Sequence, residues 1–179
     1  MQKTVEIPDG VSAGFENGNL TVKGPKGELK RAVRGVKVSV KGNEVVLSSG
    51  SDRRKDKAKV GTWNAHLKGM ITGVTRGWEA RLKIVYSHFP MKFNIEGDKV
   101  VIQNFMGERR ARTAKIHGNV KVELKKDDVV ITGVNKEDVG QTAANIELTT
   151  RVRGFDRRVF QDGCHLVQKC RPAGREGEE

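Results

Sequence analysis

Leu20 and Val22 alternate with polar residues, Gly24-Pro25-Lys26-Gly27 interrupts the run, and Leu29 resumes it. Alternation of period two broken by a Gly-Pro-Lys-Gly turn predicts a hairpin. Val36, Val38 and Val40 then alternate in the same way, Gly42-Asn43 turns the chain, and Val45-Val46-Leu47 follows. This predicts a second hairpin with one wet face. From Val60 the period changes. Val60, Trp63, Leu67, Met70, Ile71 and Val74 recur at helical spacing.

The same succession then returns. Glu16–Glu28 matches Glu96–Glu108, Val36–Leu47 matches Val120–Ile131, and Val60–Leu67 matches Val139–Ile146. In the second copy Val100 and Ile102 alternate, followed by Val120, Val122 and Leu124, a turn at Lys126-Asp127, and Val129-Val130-Ile131. Asn135 then stands where a helix cap belongs, with Glu137 and Asp138 favourable to the helix dipole. Val139, Ala143, Ile146 and Thr150 form its inner stripe. A change in the offset between copies reflects the charge run from Asp52 to Lys59, which the second copy lacks at full length. A period of about 80 residues is too long for a solenoid, whose repeats run about 20 to 50 residues.

The predicted fold class is α+β: two tandem duplicated domains, each an antiparallel sheet packed against one helix. The expected boundaries are 1–83 for the first repeat, 84–163 for the second, and 164–179 for a last strand with a basic tail. Trp78 to Pro90 joins the repeats; Leu82, Ile84 and Tyr86 alternate with Lys83, Val85 and Ser87, so the joint reads as a strand and the modules as firmly related. From Gly163, and above all from Arg171 to Glu179, the chain reads as a tail that orders only on a partner.

Composition sharpens this picture. Lys and Arg outnumber Asp and Glu by 34 to 22 among 179 residues, for a net charge of +12 and an isoelectric point near 9.9. Such an excess attracts polyanions. With two Trp, one Tyr and six Phe, the sequence offers no broad base-stacking platform. Met1 to Asp9 lacks the apolar core of a secretory leader, and no apolar run approaches the roughly 20 residues that span a bilayer. The expectation is a soluble intracellular protein.

Catalytic chemistry finds little support. Gly24-Pro25-Lys26-Gly27 lacks the Gly-Lys-Ser/Thr of a phosphate loop and reads as a hairpin turn, with phosphate contact by Lys26 the lesser alternative. His66 lies beside the apolar stripe of the first helix and reads as structural. Ser87 and His88 are strand neighbours pointing to opposite faces, with no nucleophile elbow and no orienting acid in view. Asp162-Gly163 reads as a turn. Cys164 and Cys170 would lie about 20 Å apart on a strand, too far for a disulfide. Cys164, His165 and Cys170 lack a second ligand pair at metal-site spacing. No metal or cofactor is expected.

The basic residues fall into three clusters. Arg53, Arg54, Lys55, Lys57 and Lys59 lead into the first helix, with Lys68 and Arg76 beyond; such a run reads equally as a solvated face. Arg109, Arg110, Arg112 and Lys115 follow the Gly107-Glu108 turn. Arg151, Arg153, Arg157, Arg158, Lys169, Arg171 and Arg175 crowd the C-terminal end, where 151–175 holds only Asp156 and Asp162 as acids. Arginine dominates the last two, and its planar fork suits bidentate phosphate contact. With few aromatics, contact to backbone and shape is expected, as for folded RNA. A groove-reading DNA module would want a helix richer in Arg, Asn or Gln than Gln141, Asn145 and Glu147 provide. A free-standing RNA-processing enzyme would want an acid–base or metal cluster.

Five ordered motifs extend the reading: Tyr86-Ser-His-Phe-Pro-Met91, Val100-Val-Ile-Gln-Asn-Phe-Met-Gly-Glu108, Ile116-His-Gly118, Val139-Gly-Gln-Thr-Ala-Ala-Asn145 and Arg158-Val-Phe-Gln-Asp-Gly163. Together they resemble the ribosomal protein L6 family, in its archaeal and eukaryotic branch, over essentially the whole chain. The resemblance implies two related α+β domains, binding to large-subunit ribosomal RNA near the sarcin–ricin stem-loop and stalk base, and no catalysis. It implies neighbouring ribosomal proteins and translation factors as partners, no membrane, and a place in the cytoplasmic ribosome. Its second domain carries most RNA contact, so the candidate contacts are Arg109, Arg110, Arg112, Lys115, His117, Arg151, Arg153, Arg157, Arg158, Lys169 and Arg171. The family usually has an aliphatic residue and Tyr after Asp162-Gly163, where this chain has Cys164-His165.

Overall fold

The computed structural model describes residues 2–51, 53–86 and 88–174. It divides into two compact units, residues 1–77 and 78–179. Each unit is α+β, as the sequence indicates, but each holds two antiparallel sheets rather than one. Among the described residues no helix is long and apolar enough to cross a membrane.

In the first unit, β1 (Gln2–Glu6), β5 (Lys37–Lys41) and β6 (Glu44–Ser48) form one sheet in the order β1-β6-β5. The second sheet runs β2 (Ser12–Glu16), β3 (Asn19–Gly24), β4 (Gly27–Ala32). Both predicted hairpins are present. The β3–β4 register pairs Gly24 with Gly27, leaving a two-residue loop of Pro25 and Lys26. That loop packs on the end of α1 (Arg54–Thr75): the Lys26 backbone N–H donates to the Val74 carbonyl at 2.9 Å, and its ammonium to the Arg76 carbonyl. Gly24 is required there, because a Cβ would lie 2.7 Å from Val74 Cγ2 and 3.0 Å from its carbonyl oxygen. Alternation buries Leu20, Val22, Val45 and Leu47, and the α1 stripe buries Val60, Trp63, Leu67, Met70 and Val74. Ile71 lies at the margin.

The second unit repeats this plan with additions. β7 (Trp78–Val85), β11 (Val120–Lys125), β12 (Asp128–Gly133) and β13 (Gly163–Pro172) form a sheet ordered β11-β12-β7-β13, and β8 (Lys92–Glu96), β9 (Lys99–Gln103) and β10 (Arg112–Lys115) form the other. β12 pairs with β7 as β6 pairs with β1. The strand assigned to the joint is therefore the opening strand of the second repeat. Its alternate residues Trp78, Ala80, Leu82 and Ile84 are buried in that unit's core, which moves the expected boundary from residue 83 back to Gly77.

The reading of Gly163 to Pro172 as a tail that orders only on a partner is corrected, and the segment is the last strand expected. It is a paired strand, not a tail: β13 lies antiparallel to β7, with Cys164 opposite Ile84 and Leu166 opposite Leu82. Apolar contact through Cys164 and partly buried Leu166 anchors it. Arg175 and the rest of 175–179, like Asp52 and Ser87, lie outside the described residues.

Helix α2 (Lys136–Thr149) begins where expected. The Asn135 side chain accepts the Glu137 N–H at 3.2 Å, and Glu137 and Asp138 occupy the first turn. Val139, Thr142, Ala143 and Ile146 are buried against the sheets, and Thr150 is buried just past the helix end.

Candidate nucleic-acid interface

The candidate contacts of the second unit gather on two irregular segments. The first is the β9–β10 connection. Its counterpart in the first unit is the two-residue turn at Pro25-Lys26; here the chain takes a 3-10 turn at Phe105–Gly107 and continues to Ala111. Asn104 and Met106 both adopt left-handed φ, at 58° and 52°. Phe105 is buried and anchors the loop, while Arg109 and Arg110 stand exposed on it. Neither has a hydrogen bond or ion pair among the described residues.

The second is a strap, residues 151–162, between α2 and β13. Both ends are tied to Thr150, whose hydroxyl accepts the Cys164 N–H at 2.9 Å and bonds back to the Ile146 and Glu147 carbonyls. Asp156 forms the strap's internal turn, its carboxylate accepting the Arg158 N–H at 2.9 Å and its carbonyl the Phe160 N–H at 2.9 Å. Phe160 packs against Phe155 and His88, with ring centroids 4.9 and 4.6 Å away. Asp162 is 2% exposed and closes the strap onto His88, 2.7 Å from Nδ1 and 3.1 Å from the backbone nitrogen. His88 thus has the acid partner that its sequence neighbourhood lacked, and Asp162 is a buried tether rather than a turn residue. Exposed on the strap are Arg151, Arg153, Arg157 and Arg158, whose guanidinium groups have no partner among the described residues.

Arg112 behaves differently. Its Nε and Nη2 grip Glu108 at 2.8 and 2.5 Å, and Nη1 donates to the carbonyls of Thr149 at 2.8 Å and Arg151 at 3.3 Å. The guanidinium also lies 4.2 Å from the Phe105 ring centroid, and hydrogen bonding to it holds the Glu108 carboxyl below its ordinary range. Arg112 therefore joins the loop to the base of the strap, with its donors turned inward.

Lys115 and His117 flank α2. The Lys115 carbonyl accepts from the Asn145 amide at 2.9 Å and the His117 N–H donates to the Thr142 hydroxyl at 3.0 Å, so helix side chains fix both backbones. The Lys115 ammonium is exposed. Lys169 and Arg171 share the solvent-facing side of β13 with His165 and Val167, while Cys164, Leu166 and Cys170 turn inward. Cys164 fills the position that an aliphatic residue takes in the resembled family. Burial, with Glu147 adding to it, pushes its thiol up to about 12, and burial pushes Cys170 to about 11.

Several acids elsewhere pair with their own neighbours. Glu28 bridges Lys23 and Lys30, each at 3.2 Å, Asp56 meets Lys59 at 2.9 Å, Glu79 meets Arg81, and Glu123 meets Lys121 at 2.8 Å. The Asp56–Lys59 pair places part of the first basic cluster on a self-neutralised face of α1. Sequence reasoning could not separate Arg112 from Arg109 and Arg110, nor single out Leu148, Phe155 and Phe160. The only available signal was the excess of apolar residues within a basic run.

A duplicated α+β frame with six exposed, unpartnered arginines on two loops of its second copy defines a two-module protein built to present cations. Comparison with known proteins makes the assignment narrower. The family model described as ribosomal protein L6 matches twice, over residues 7–77 and 89–163. Relatives named large ribosomal subunit protein uL6 are 49% identical in Methanosarcina mazei, over 93% of this chain and 96% of the relative, and 50% identical in Methanobrevibacter smithii, over 94% and 96%. The one from Halobacterium salinarum is 47% identical over 92% and 94%. The chain belongs to the ribosomal protein L6 family.

Proposed function

We propose that this protein is a structural, non-catalytic constituent of the large ribosomal subunit, working in the cytoplasm, and that its second unit holds ribosomal RNA through the β9–β10 loop and the 151–162 strap. The observation that carries this reading is the set of exposed guanidinium groups at Arg109, Arg110, Arg151, Arg153, Arg157 and Arg158, which have no partner among the described residues. Arginine forks meet phosphate oxygens in pairs, and backbone contacts of this kind position a protein on folded RNA. Lys115 shares a cavity with Arg153 beside the strap, and His117, Lys169 and Arg171 are proposed as further contacts on other parts of the unit; Arg112 supports the loop and strap from within. The names of the relatives favour the large subunit. The sarcin–ricin stem-loop and stalk base, with translation factors and neighbouring ribosomal proteins close by, are the site proposed within it.

Co-sedimentation of the full chain with large subunits tests the assignment, and chemical footprinting of the bound RNA tests the position. Protection confined to RNA away from the sarcin–ricin stem-loop would remove the finer claim and keep the coarser one. Failure to sediment with the subunit, or to bind its RNA, would remove both.

A further inference from the structure

Leu148 is 58% exposed on the last turn of α2 and lines two cavities at once. On one side a cavity of about 550 Å³ carries Lys115 and Arg153; on the other, one of about 560 Å³ lies under the strap. Val85, Leu148, Val152 and Phe160 give the second cavity apolar walls, and Arg151 and Arg157 line it as well. A lone exposed leucine is ordinary. A leucine at the crest between two cavities with unpaired cations calls for a ligand that is flat and apolar on its faces and anionic at its edge.

We propose that the cavity under the strap receives one unstacked base of RNA, lying against Leu148, Val152 and Phe160, with its flanking phosphates on Arg151 and Arg157. This rests on the reading that the chain binds ribosomal RNA. Bases within a duplex hide their faces from side chains, whereas a nucleotide splayed from a loop or bulge offers them. The volume falls within the 300 to 1,000 Å³ usual for small-ligand pockets. Its wall is held before any ligand arrives, by the Asp162–His88 tether and the Thr150–Cys164 hydrogen bond, which lowers the ordering cost of binding. Glu147 also lines the cavity. An ionised carboxylate repels phosphate and only accepts hydrogen bonds, so the base edge must take that side. A base can meet it with an exocyclic amino group, as in adenine, cytosine or guanine, or with a ring N–H, as in guanine or uracil.

Two measurements on the full chain test this. In the first, affinity for large-subunit RNA is measured across a salt series for the native chain, Leu148→Ala and Arg157→Ala. Leu148→Ala should weaken binding about tenfold, the scale of one stacked base, with the salt dependence unchanged. Arg157→Ala should weaken binding and flatten the salt dependence. Native affinity in Leu148→Ala overturns the pocket while leaving the RNA-binding reading intact; loss of RNA binding by the native chain overturns that reading itself. In the second, adenosine monophosphate and uridine monophosphate are titrated while backbone amide resonances are followed. Saturable shifts at Leu148 to Val152 and Phe160 to Cys164 are expected with both nucleotides. Their absence with both nucleotides overturns the assignment.

Discussion

Asp162 holds His88 at two points: one carboxylate oxygen lies 3.1 Å from the backbone nitrogen and the other 2.7 Å from Nδ1 of the ring. This single buried side chain fixes the far end of the strap to the turn after β7. Replacing it with Ala leaves the His88 N–H without its acceptor, at a cost of about 1 to 3 kcal/mol. The strap should loosen before the core does. Hydrogen exchange at Val159 and Phe160 in Asp162→Ala should accelerate well beyond that at Val129 and Ile131 in β12. Equal acceleration at both places would mean that the tether stabilises the unit as a whole and does not order the strap.

Leu67 and Ile146 are both fully buried at matching positions of the two helices. Leu67→Ala or Ile146→Ala should cost about 2 to 5 kcal/mol, from units whose total stability is about 5 to 15 kcal/mol. Thermal unfolding should move down by many degrees, with RNA affinity at low temperature nearly preserved. Weakened RNA binding at native thermal stability in Ile146→Ala would place that helix face on RNA.

Arg112 and the pair Arg109–Arg110 should separate cleanly. Arg112→Ala removes the joint between loop and strap and should lower the melting temperature; Arg112→Lys should restore little, because a point charge cannot reproduce the fork. Arg109→Ala with Arg110→Ala should leave melting unchanged and reduce the salt dependence of RNA binding, by up to about 0.9 in log–log slope per phosphate contact on the duplex-DNA scale. Swapped outcomes in a salt-series binding assay and a melt would reverse the two roles.

The buried thiol at Cys164 makes alkaline stability measurable. Its pKa is raised from an ordinary 9.0 to about 12, so the stability it contributes is complete below about pH 9 and is lost as pH rises towards 12. At about pH 10.5 the loss is on the order of 2 kcal/mol. Urea midpoints of the native chain and Cys164→Val, compared at pH 8 and at about pH 10.5, should diverge, the variant losing less. Parallel declines would show that the thiol is not the titrating group.

The sequence made the hairpins visible because Leu20, Val22, Val38 and Val40 sit on pleats with one wet face, and because Gly42 and Lys126 take the left-handed φ their turns need, 57° and 49°. It hid β2, where Ser12-Ala-Gly-Phe-Glu16 carries no alternation of large residues; β8, where Phe93 and Ile95 do alternate, is a five-residue strand that the expected elements omit. The His88–Asp162 contact joins residues 74 apart, beyond any local periodicity. The last strand is expected from residue 164, but its pairing with β7 is not, because His165, Lys169 and Arg171 on its outer face resemble a solvated tail while Cys164 and Leu166 do the packing. Arg112 differs from Arg109 only in what surrounds it in space.

The place of β13 beside β7 has a consequence for how the chain is made. In the first unit every strand partner lies within residues 1–77, so that module can close while synthesis continues. In the second, β7 pairs with β12 on one side and waits on the other for β13, whose residue Cys164 must reach Ile84. Contacts of long sequence separation form slowly, and an unpaired strand flank is an invitation to wrong partners. A nascent chain halted before Gly163 should hold a finished first module and an adhesive second one. Pairing of the last dozen described residues with β7 is thus the step that closes the second module's sheet.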